Sequence, residues 1–420
     1  MNIRPMPLQF GVGFCSNEPI PEDQVQGYRY ECVGRNHNYH VTAENQRWPY
    51  HLKQDDAFKE TDRIIDGFSP NLNKELHVGH LRQLALARAL QGLHCHANMV
   101  AILGASLGVK KAAIAGWEKW TTFVGYHPKV YYDVLLPYDV VESRPAEADE
   151  IKLTDEGIPE VWDGPKGPVL TKRADGRFLY AHYDLAFAKE VGPTHYITGH
   201  EQKDHFASLG LAERHFPMGL VLGLDGKKMK SRDGSGLLAS EAMEMVKEKF
   251  RETPEPDKLA WNVLCWNLLH VSRDRDLRFD PESWTKPESP GLYITYTVAR
   301  VKKALEAEIN RRLQDSEWTA ALSDNKYQFF KYDPATAKEC DYKLIGLSQQ
   351  SHYWIDRSVE KLDPAGFANH LYDLAIALNE AYTQERILEG RDTFLYALDQ
   401  TVSDLSVYMY ELGMFEIDEV

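Results

Sequence analysis

Apolar positions along this chain follow two rhythms, and the change from one to the other marks out its parts. The first 60 residues are polar and rich in aromatics, with short alternating runs such as YRYECV and YHVTA; they read as an N-terminal extension of unknown role. At Arg63 the texture changes. RIIDGF is a short apolar run expected as a buried strand, and SPNLNKE supplies turn formers after it. VGHLRQLALARALQGL then has helical spacing, with Val78, Leu81, Leu84, Ala85 and Ala89 on one face and Gly92 as the expected stop. HANMVAILG follows as a second strand. Strand, turn, helix and strand in that order predict a βαβ unit, so the fold class is α/β with a Rossmann-like, doubly wound parallel sheet. From about residue 116 to 172 the pattern is irregular, with pieces such as ESRPAEADE and WDGPKGP, and is expected to be an insertion in that fold. The sheet rhythm resumes with RFLYAHYDLAFAKEV, THYITGHEQKDHF and GLVLGLDGKKMKSRDGSG. Beyond about residue 290 only the helical period remains. Ile294, Val298, Val301, Leu305 and Ile309 keep it, as do Phe367, Leu371, Leu374, Ala375, Leu378 and Tyr382. Leu395, Leu398, Val402, Leu405, Met409 and Leu412 do so again, with Gly413 at the expected C-cap. The expected organisation is an extension (1–60), a catalytic domain (61–287) and an all-α helix bundle (288–420).

Composition narrows this picture in a few places. With 420 residues, 43% of them apolar, the chain has material for two or three cored domains. No stretch approaches the roughly 20 apolar residues of a membrane span, and MNIRPMPLQFGVGFCSNEP makes a poor secretory signal. Five scattered cysteines (Cys15, Cys32, Cys95, Cys265 and Cys340) contain no CxxC pair, which argues against a disulfide framework or a zinc knuckle. A reducing cytoplasm is the expected location, and a monomer the expected state. A formal charge of −15 speaks against indiscriminate coating of nucleic acid. It leaves room for a local basic face, because fields are screened within about 10 Å at physiological salt.

Two segments carry candidate chemistry. His77-Val78-Gly79-His80 lies where a strand turns into a helix, a place where main-chain N–H groups and the helix dipole favour an anion. Two imidazoles three residues apart sit on neighbouring positions of the first turn. They can donate to phosphates as charge builds at the α-phosphorus, while Gly79 leaves room for a nucleotide. The same residues equally fit a plain helix cap. The second segment, Gly226 to Ser235 (GKKMKSRDGS), is a basic loop bounded by glycines. Lys227, Lys228 and Lys230 could close over a triphosphate and stabilise departing pyrophosphate. A solvated surface loop is the plain alternative.

Together, about 150 residues apart across an α/β region, the two segments resemble the His-Ile-Gly-His and Lys-Met-Ser-Lys-Ser signatures of class I aminoacyl-tRNA synthetases. DGFSPNLNKELHVGHLR is similar to the corresponding segment of arginyl-tRNA synthetases. The resemblance implies that Asp66, Ser69, Asn71 and His80 hold the arginine substrate, with Asp66 standing where the family usually has glutamate. DGRFLYAHYDLAFAK and YITGHEQKDHF resemble further family segments and carry over Tyr180, Asp184 and Gln202 as substrate contacts, with His205 nearby. In the C-terminal part, GLYITYTVARVKKAL and FANHLYDLAIALNEAY look like helices of the family's anticodon-binding module; Tyr293, Tyr296 and Arg300 are then candidates to touch tRNA. The resemblance spans roughly residues 62–420. It implies ATP with magnesium, L-arginine and tRNA(Arg) as the molecules handled.

The chemistry of the residues agrees. A guanidinium is planar and permanently charged, and carboxylates offering paired acceptors read it best. Asp184 and Asp66 could supply them, while Asn71 and Gln202 would hold the α-amino and carboxylate ends. Each also has a structural alternative: turn formation for Asp66 and Asn71, helix capping for Asp184. Two departures from the family stand out. Only about 60 residues precede the catalytic fold, where the family commonly has a larger tRNA-gripping domain. HANMVAILGASLG replaces the usual polar segment after the second strand. A paralog serving another acceptor, a silent RNA-binding relative and a different HxGH nucleotidyltransferase are therefore the rival readings.

Overall fold

The computed structural model describes residues 3–5, 13–16, 29–33, 36–40, 63–95, 99–103, 111–132, 157–176, 178–192, 194–228, 236–314, 330 and 332–417. In the extension, β1 (Ile3–Pro5), β2 (Gly13–Ser16), β3 (Arg29–Val33) and β4 (Asn36–His40) form an antiparallel sheet in the order β1-β2-β4-β3.

The central sheet collects β5 (Ile64–Asp66), β6 (Met99–Leu103), β7 (Lys129–Tyr132), β10 (Thr194–Gly199) and β11 (His215–Met218). Its order is β11-β10-β5-β6-β7, and every pairing is parallel. The chain steps one way from β5 to β7, then crosses to the far side of β5 for β10 and β11. That reversal opens a crevice beyond the carboxyl ends of β5 and β10, the place where such sheets bind ligands. Crossover segments include α1 (Val78–Leu90), α2 (Lys111–Val124), α3 (Tyr180–Val191) and α4 (Lys203–Leu209).

Strand alternation explains why helices cover both faces. Ile65, Met99, Ala101, Leu103, Val130 and Ile197 pack into one large core with α1 and α2. Their neighbours Val100, Tyr131 and Tyr196 point the other way, into a smaller core with Leu185, Phe187 and Phe206 of α3 and α4. The doubly wound expectation is met. One strand does more than expected: Lys129–Tyr132 lies within the stretch expected as insertion, yet it is the edge strand of the sheet, paired with β6 from Val100↔Lys129 to Leu103↔Tyr132. Only four residues long and partly polar, it carries too little alternation to announce itself. The antiparallel hairpin of β8 (Val161–Gly164) and β9 (Gly167–Leu170) follows in the same stretch.

Helix α1 also differs from its sequence pattern. A one-sided apolar stripe predicts one solvated face, but every residue from Leu81 to Leu90 is buried, because α1 is enclosed between the sheet and later helices. Its two arginines are satisfied inside the protein. All of Arg82's nitrogens donate to main-chain carbonyls, those of Gly219, Leu268, Val271, Ser272 and Arg275. Arg88 donates to the carbonyls of Val124 and Tyr410. Nor does Gly92 stop the helix. It lies inside a π turn, Gln91–Cys95, where a Cβ would come within 2.1 Å of the Glu411 carbonyl oxygen. The glycine is there for close approach.

After β12 (Val221–Leu222), which pairs with β13 (Leu277–Arg278), come α5 (Ala239–Lys247), α6 (Pro256–Leu269) and the single turn α7 (Pro281–Trp284). The C-terminal part is helical as expected: α8 (Pro290–Leu313), α9 (Glu339–Lys361), α10 (Ala365–Gln384) and α11 (Asp392–Leu412). Ile294, Val298, Val301 and Leu305 are buried in α8, as are Phe367 to Leu378 of the α10 stripe and the whole stripe of α11. Gly413 ends α11 in the left-handed region, φ +92°, the conformation glycine adopts without steric cost. Among the described residues no helix is long and apolar enough to cross a membrane.

Candidate active site

The crevice at the strand reversal is a cleft of about 400 Å³, and Asp66 lies at its base. Along β5 the alternation points Asp66 toward α3, in register with Tyr196 of β10, where a strand of this sheet would ordinarily bury an apolar side chain. Asp66 is 4% exposed. Its carboxylate accepts a hydrogen bond from the Ser69 hydroxyl, which is itself fixed by accepting the Ile102 main-chain N–H at 2.7 Å. Burial pushes the Asp66 carboxyl group up to about 7; the Ser69 hydrogen bond opposes this and the nearby Asp184 adds to it.

Asp184, one turn into α3, borders the same cleft from the other side. Its Oδ2 lies 2.5 Å from His205 Nε2 on α4, so two helices hold the carboxylate between them. At the mouth, Asn71 Nδ2 donates to the hydroxyl of Tyr180, the first residue of α3, at 2.6 Å. Gln202, in the turn that joins β10 to α4, completes the rim with Glu201. The residues expected to hold a substrate (Asp66, Ser69, Asn71, His80, Tyr180, Asp184 and Gln202) therefore converge on one cleft. Three further groups there carry no sequence signal. Among the described residues the buried Tyr196 hydroxyl makes no hydrogen bond of good geometry, and burial beside Asp184 and Asp66 raises its pKa. Gln83 reaches across from α1 to the Ile197 carbonyl at 2.8 Å. Ile102 supplies the N–H that orients Ser69.

His77 and His80 form the entrance to α1. His77 Nδ1 accepts the Gly79 N–H at 3.1 Å, and His80 Nδ1 accepts the His77 N–H at 3.1 Å. The rings stack with centroids 3.8 Å apart. Gly79 permits this, since a Cβ there would meet the His77 ring at 3.0 Å. The capping alternative is thus real, and it changes the phosphate argument. Main-chain N–H groups at this helix start were expected to be open to an anion. Instead His77 and Gly79 donate to the imidazoles, Val78 to the Leu237 carbonyl and His80 to the His77 carbonyl. What remains are the far ring nitrogens. An Nδ1 that accepts an N–H holds no proton, so each neutral ring keeps its proton on Nε2 as an outward donor. Burial holds both imidazoles below the usual range, His80 at about 3, with the Lys228 charge contributing to each shift.

The second motif is tied to the first through the backbone. Val78 N–H donates to Leu237 O and Ala239 N–H to Leu76 O, both at 2.9 Å, so the segment after the lysine loop pairs with the segment before α1. The loop begins as a tight turn, with Gly223 N–H on Lys227 O at 2.8 Å and Gly226 at φ +74°. Lys227 and Lys228 are exposed; Lys230 lies outside the described residues.

A second recess, about 630 Å³, lies between α8 and α10, bordered by Tyr293, Tyr296, Arg300, Lys303 and Tyr382. Arg300 stacks over the Tyr382 ring at 5.1 Å and hydrogen-bonds Asn379.

No family model matches the chain. Among known proteins it is 28% identical over 259 residues to an arginine–tRNA ligase of Treponema denticola, covering 53% of this chain and 42% of that one. It is 28% identical over 312 residues to that of Limosilactobacillus fermentum, covering 66% and 51%. The chain thus spans about half the length of the curated relatives it matches. Among solved structures, the arginyl-tRNA synthetase of Thermus thermophilus superposes with a TM-score of 0.63 at 14% identity, covering 96% of this chain and 90% of that one. That of Plasmodium falciparum gives 0.59 at 13% identity, covering 94% and 86%. The structural likeness establishes the fold, and the sequence relatives show a chain distantly similar to arginine–tRNA ligases over about half their length.

Proposed function

We propose that this chain uses ATP to convert L-arginine to arginyl-adenylate and transfers the arginyl group to the 3′ end of tRNA(Arg). One observation carries the reading: two carboxylates, Asp66 and Asp184, share a cleft that is bordered by His80 at the start of α1. A cationic side chain would lie against the carboxylates, with its α-carboxylate directed to the helix entrance where phosphates would rest. Asn71, Tyr180 and Gln202 at the mouth suit the α-amino and carboxylate ends.

In the proposed reaction the arginine carboxylate attacks the α-phosphorus of ATP in line. The Nε2–H groups of His77 and His80 stabilise the charge that develops there. Lys227, Lys228 and Lys230 close over the β- and γ-phosphates and the leaving pyrophosphate. Magnesium enters with the nucleotide as its counter-ion. The protein contributes positioning and charge rather than covalent chemistry, and the 2′-hydroxyl of the terminal adenosine then takes the arginyl group. Residues 61–287 serve as the catalytic domain and 288–420 as the tRNA-contacting domain, where Tyr293, Tyr296 and Arg300 offer stacking surfaces and a cation to unpaired nucleotides. The proposed setting is a cytoplasmic monomer.

Arginine-dependent exchange of pyrophosphate into ATP, run with and without bulk tRNA, tests this. Exchange together with charged tRNA is the expected result. Exchange indifferent to tRNA and without charged product would favour a paralog with another acceptor. No exchange under either condition would favour a silent RNA-binding relative.

A further inference from the structure

We propose that the cleft takes up its guanidinium guest in exchange for a proton, released from the Asp66 carboxyl group. The inference rests on reading the cleft as the arginine site and adds a charge balance to it. Before binding, Asp66 carries the proton on a carboxyl oxygen; afterwards it is a carboxylate facing the guanidinium, and the proton is in solvent.

The arrangement around Asp66 leads there. Among the described residues its hydrogen-bond partner is the Ser69 hydroxyl, and no lysine or arginine pairs with it. Ser69 accepts the Ile102 N–H, so its own proton is committed to Asp66 Oδ1 and Oδ2 is left over. The groups facing Asp66 come from each element around it. Asp184 looks across from α3, with His205 of α4 behind it. The buried Tyr196 hydroxyl lies beside it on β10, and the buried Tyr126 hydroxyl ahead of β7 interacts with its charge. From α1 come Gln83 and His80, and from the rim Glu201. None of these is a permanent cation, and burial keeps His80 neutral. Two carboxylates in one confined cleft without a cation do not both ionise readily. Asp184 is partly solvated and hydrogen-bonded to His205, whereas Asp66 lies at the buried base and is the one that takes the proton. The upward shift of Asp66 to about 7 agrees. A guanidinium reverses the balance: its charge favours ionised Asp66, and its N–H groups fill the spare acceptor positions.

The consequence is a linkage between pH and affinity. Below the carboxyl group's free-state titration, affinity for L-arginine should fall roughly tenfold per pH unit; above it, affinity should be flat.

Calorimetry of the full chain with L-arginine, at about pH 6 and about pH 8.5 in buffers of differing ionisation heat, reads the protons directly. Release approaching one proton per arginine at the lower pH and near none at the higher is expected. Infrared difference spectra at the lower pH should show the carbonyl stretch of a protonated carboxyl group disappearing on arginine addition, and no such band in Asp66→Asn. This second readout stands even if that variant binds arginine too weakly for calorimetry. Binding with a heat independent of buffer at the lower pH would overturn the proposal. So would release that persists in Asp66→Asn and vanishes in His205→Asn. Absence of arginine binding at every pH, in a chain that still binds ATP, would sink the reading of the cleft itself and this inference with it.

Discussion

The imidazole rings of His77 and His80 lie face to face, centroids 3.8 Å apart, and each gives its Nδ1 to a main-chain N–H of the turn they open. Capping and the proposed phosphate contact therefore fall to different nitrogens of one ring, and substitution can separate them. Asparagine at position 77 can still accept the Gly79 N–H but has nothing at the Nε2 position. His77→Asn should keep unfolding stability within about 0.5 kcal/mol, while His77→Ala loses about 1 kcal/mol. Pyrophosphate exchange should fall by about 100-fold or more in both, the typical cost of one donor to a transition-state oxyanion. Denaturant unfolding and exchange kinetics on the two variants check this; an Asn variant as active as the parent would reduce His77 to a cap.

Asp184 is held by His205 at 2.5 Å, which leaves its other oxygen for the cleft. Asp184→Asn should raise the KM for arginine by about 100-fold or more, the scale of a charge-assisted pair, with the KM for ATP changed only a few-fold. His205→Ala should act through Asp184, raising arginine KM about tenfold with kcat largely kept. His205→Gln, which retains a donor, should restore part of the loss. Equal effects on both substrates would remove the guanidinium role.

How far the sequence reveals this site depends on the physics of each residue. The βαβ unit and the C-terminal helices were legible because apolar periods of two and 3.6 survive in any window long enough to show them. Residue type and spacing marked His77 and His80, whereas Asp66, Ser69, Asn71, Tyr180, Asp184 and Gln202 were marked by the family resemblance of the segments that carry them. Lys129–Tyr132 was not legible as a sheet strand, since four residues at an edge carry little alternation. Arg82 and Arg88 looked like the polar face of α1; only the tertiary fold supplies the carbonyls that let them be buried. Tyr196 resembled any core tyrosine. What makes it part of the site is its register beside Asp66, a relation between strands far apart in sequence.

Asp66 should also cost the fold stability. Burial pushes its carboxyl group in the folded protein up to about 7, from an ordinary 3.8. A raised folded-state value means the contribution to stability is fully present below 3.8 and lost as pH rises toward 7. Asp66→Asn removes the buried charge. The variant should therefore be more stable than the parent at about pH 8, by up to about 4 kcal/mol, and the difference should shrink steadily toward about pH 4. Urea unfolding of both proteins across that range is the measurement. A constant difference at all pH values would show that Asp66 does not titrate in the fold.

Gly92 gives a test of how the α/β fold is joined to the last helix, α11. A Cβ at this position would lie 2.1 Å from the Glu411 carbonyl oxygen and 2.7 Å from an Arg88 nitrogen. The main chain of α11 cannot yield as a side-chain tip would, and Arg88 is already engaged with the Tyr410 carbonyl at 3.0 Å. Alanine is the better helix former by about 1 kcal/mol, so a residue serving only as a helix stop or a flexible joint would tolerate it. If close packing is what matters, Gly92→Ala should instead destabilise the protein by about 1–3 kcal/mol, the usual cost of overpacking. The loss of hydrogen-exchange protection should concentrate at the last turn of α11 and at Gly413, whose carbonyl accepts the Trp261 indole N–H at 2.8 Å. Arginine KM should be unchanged, because the cleft lies at the opposite end of α1. An Ala variant as stable as the parent, with α11 fully protected, would mean the two helices meet less closely than this geometry requires.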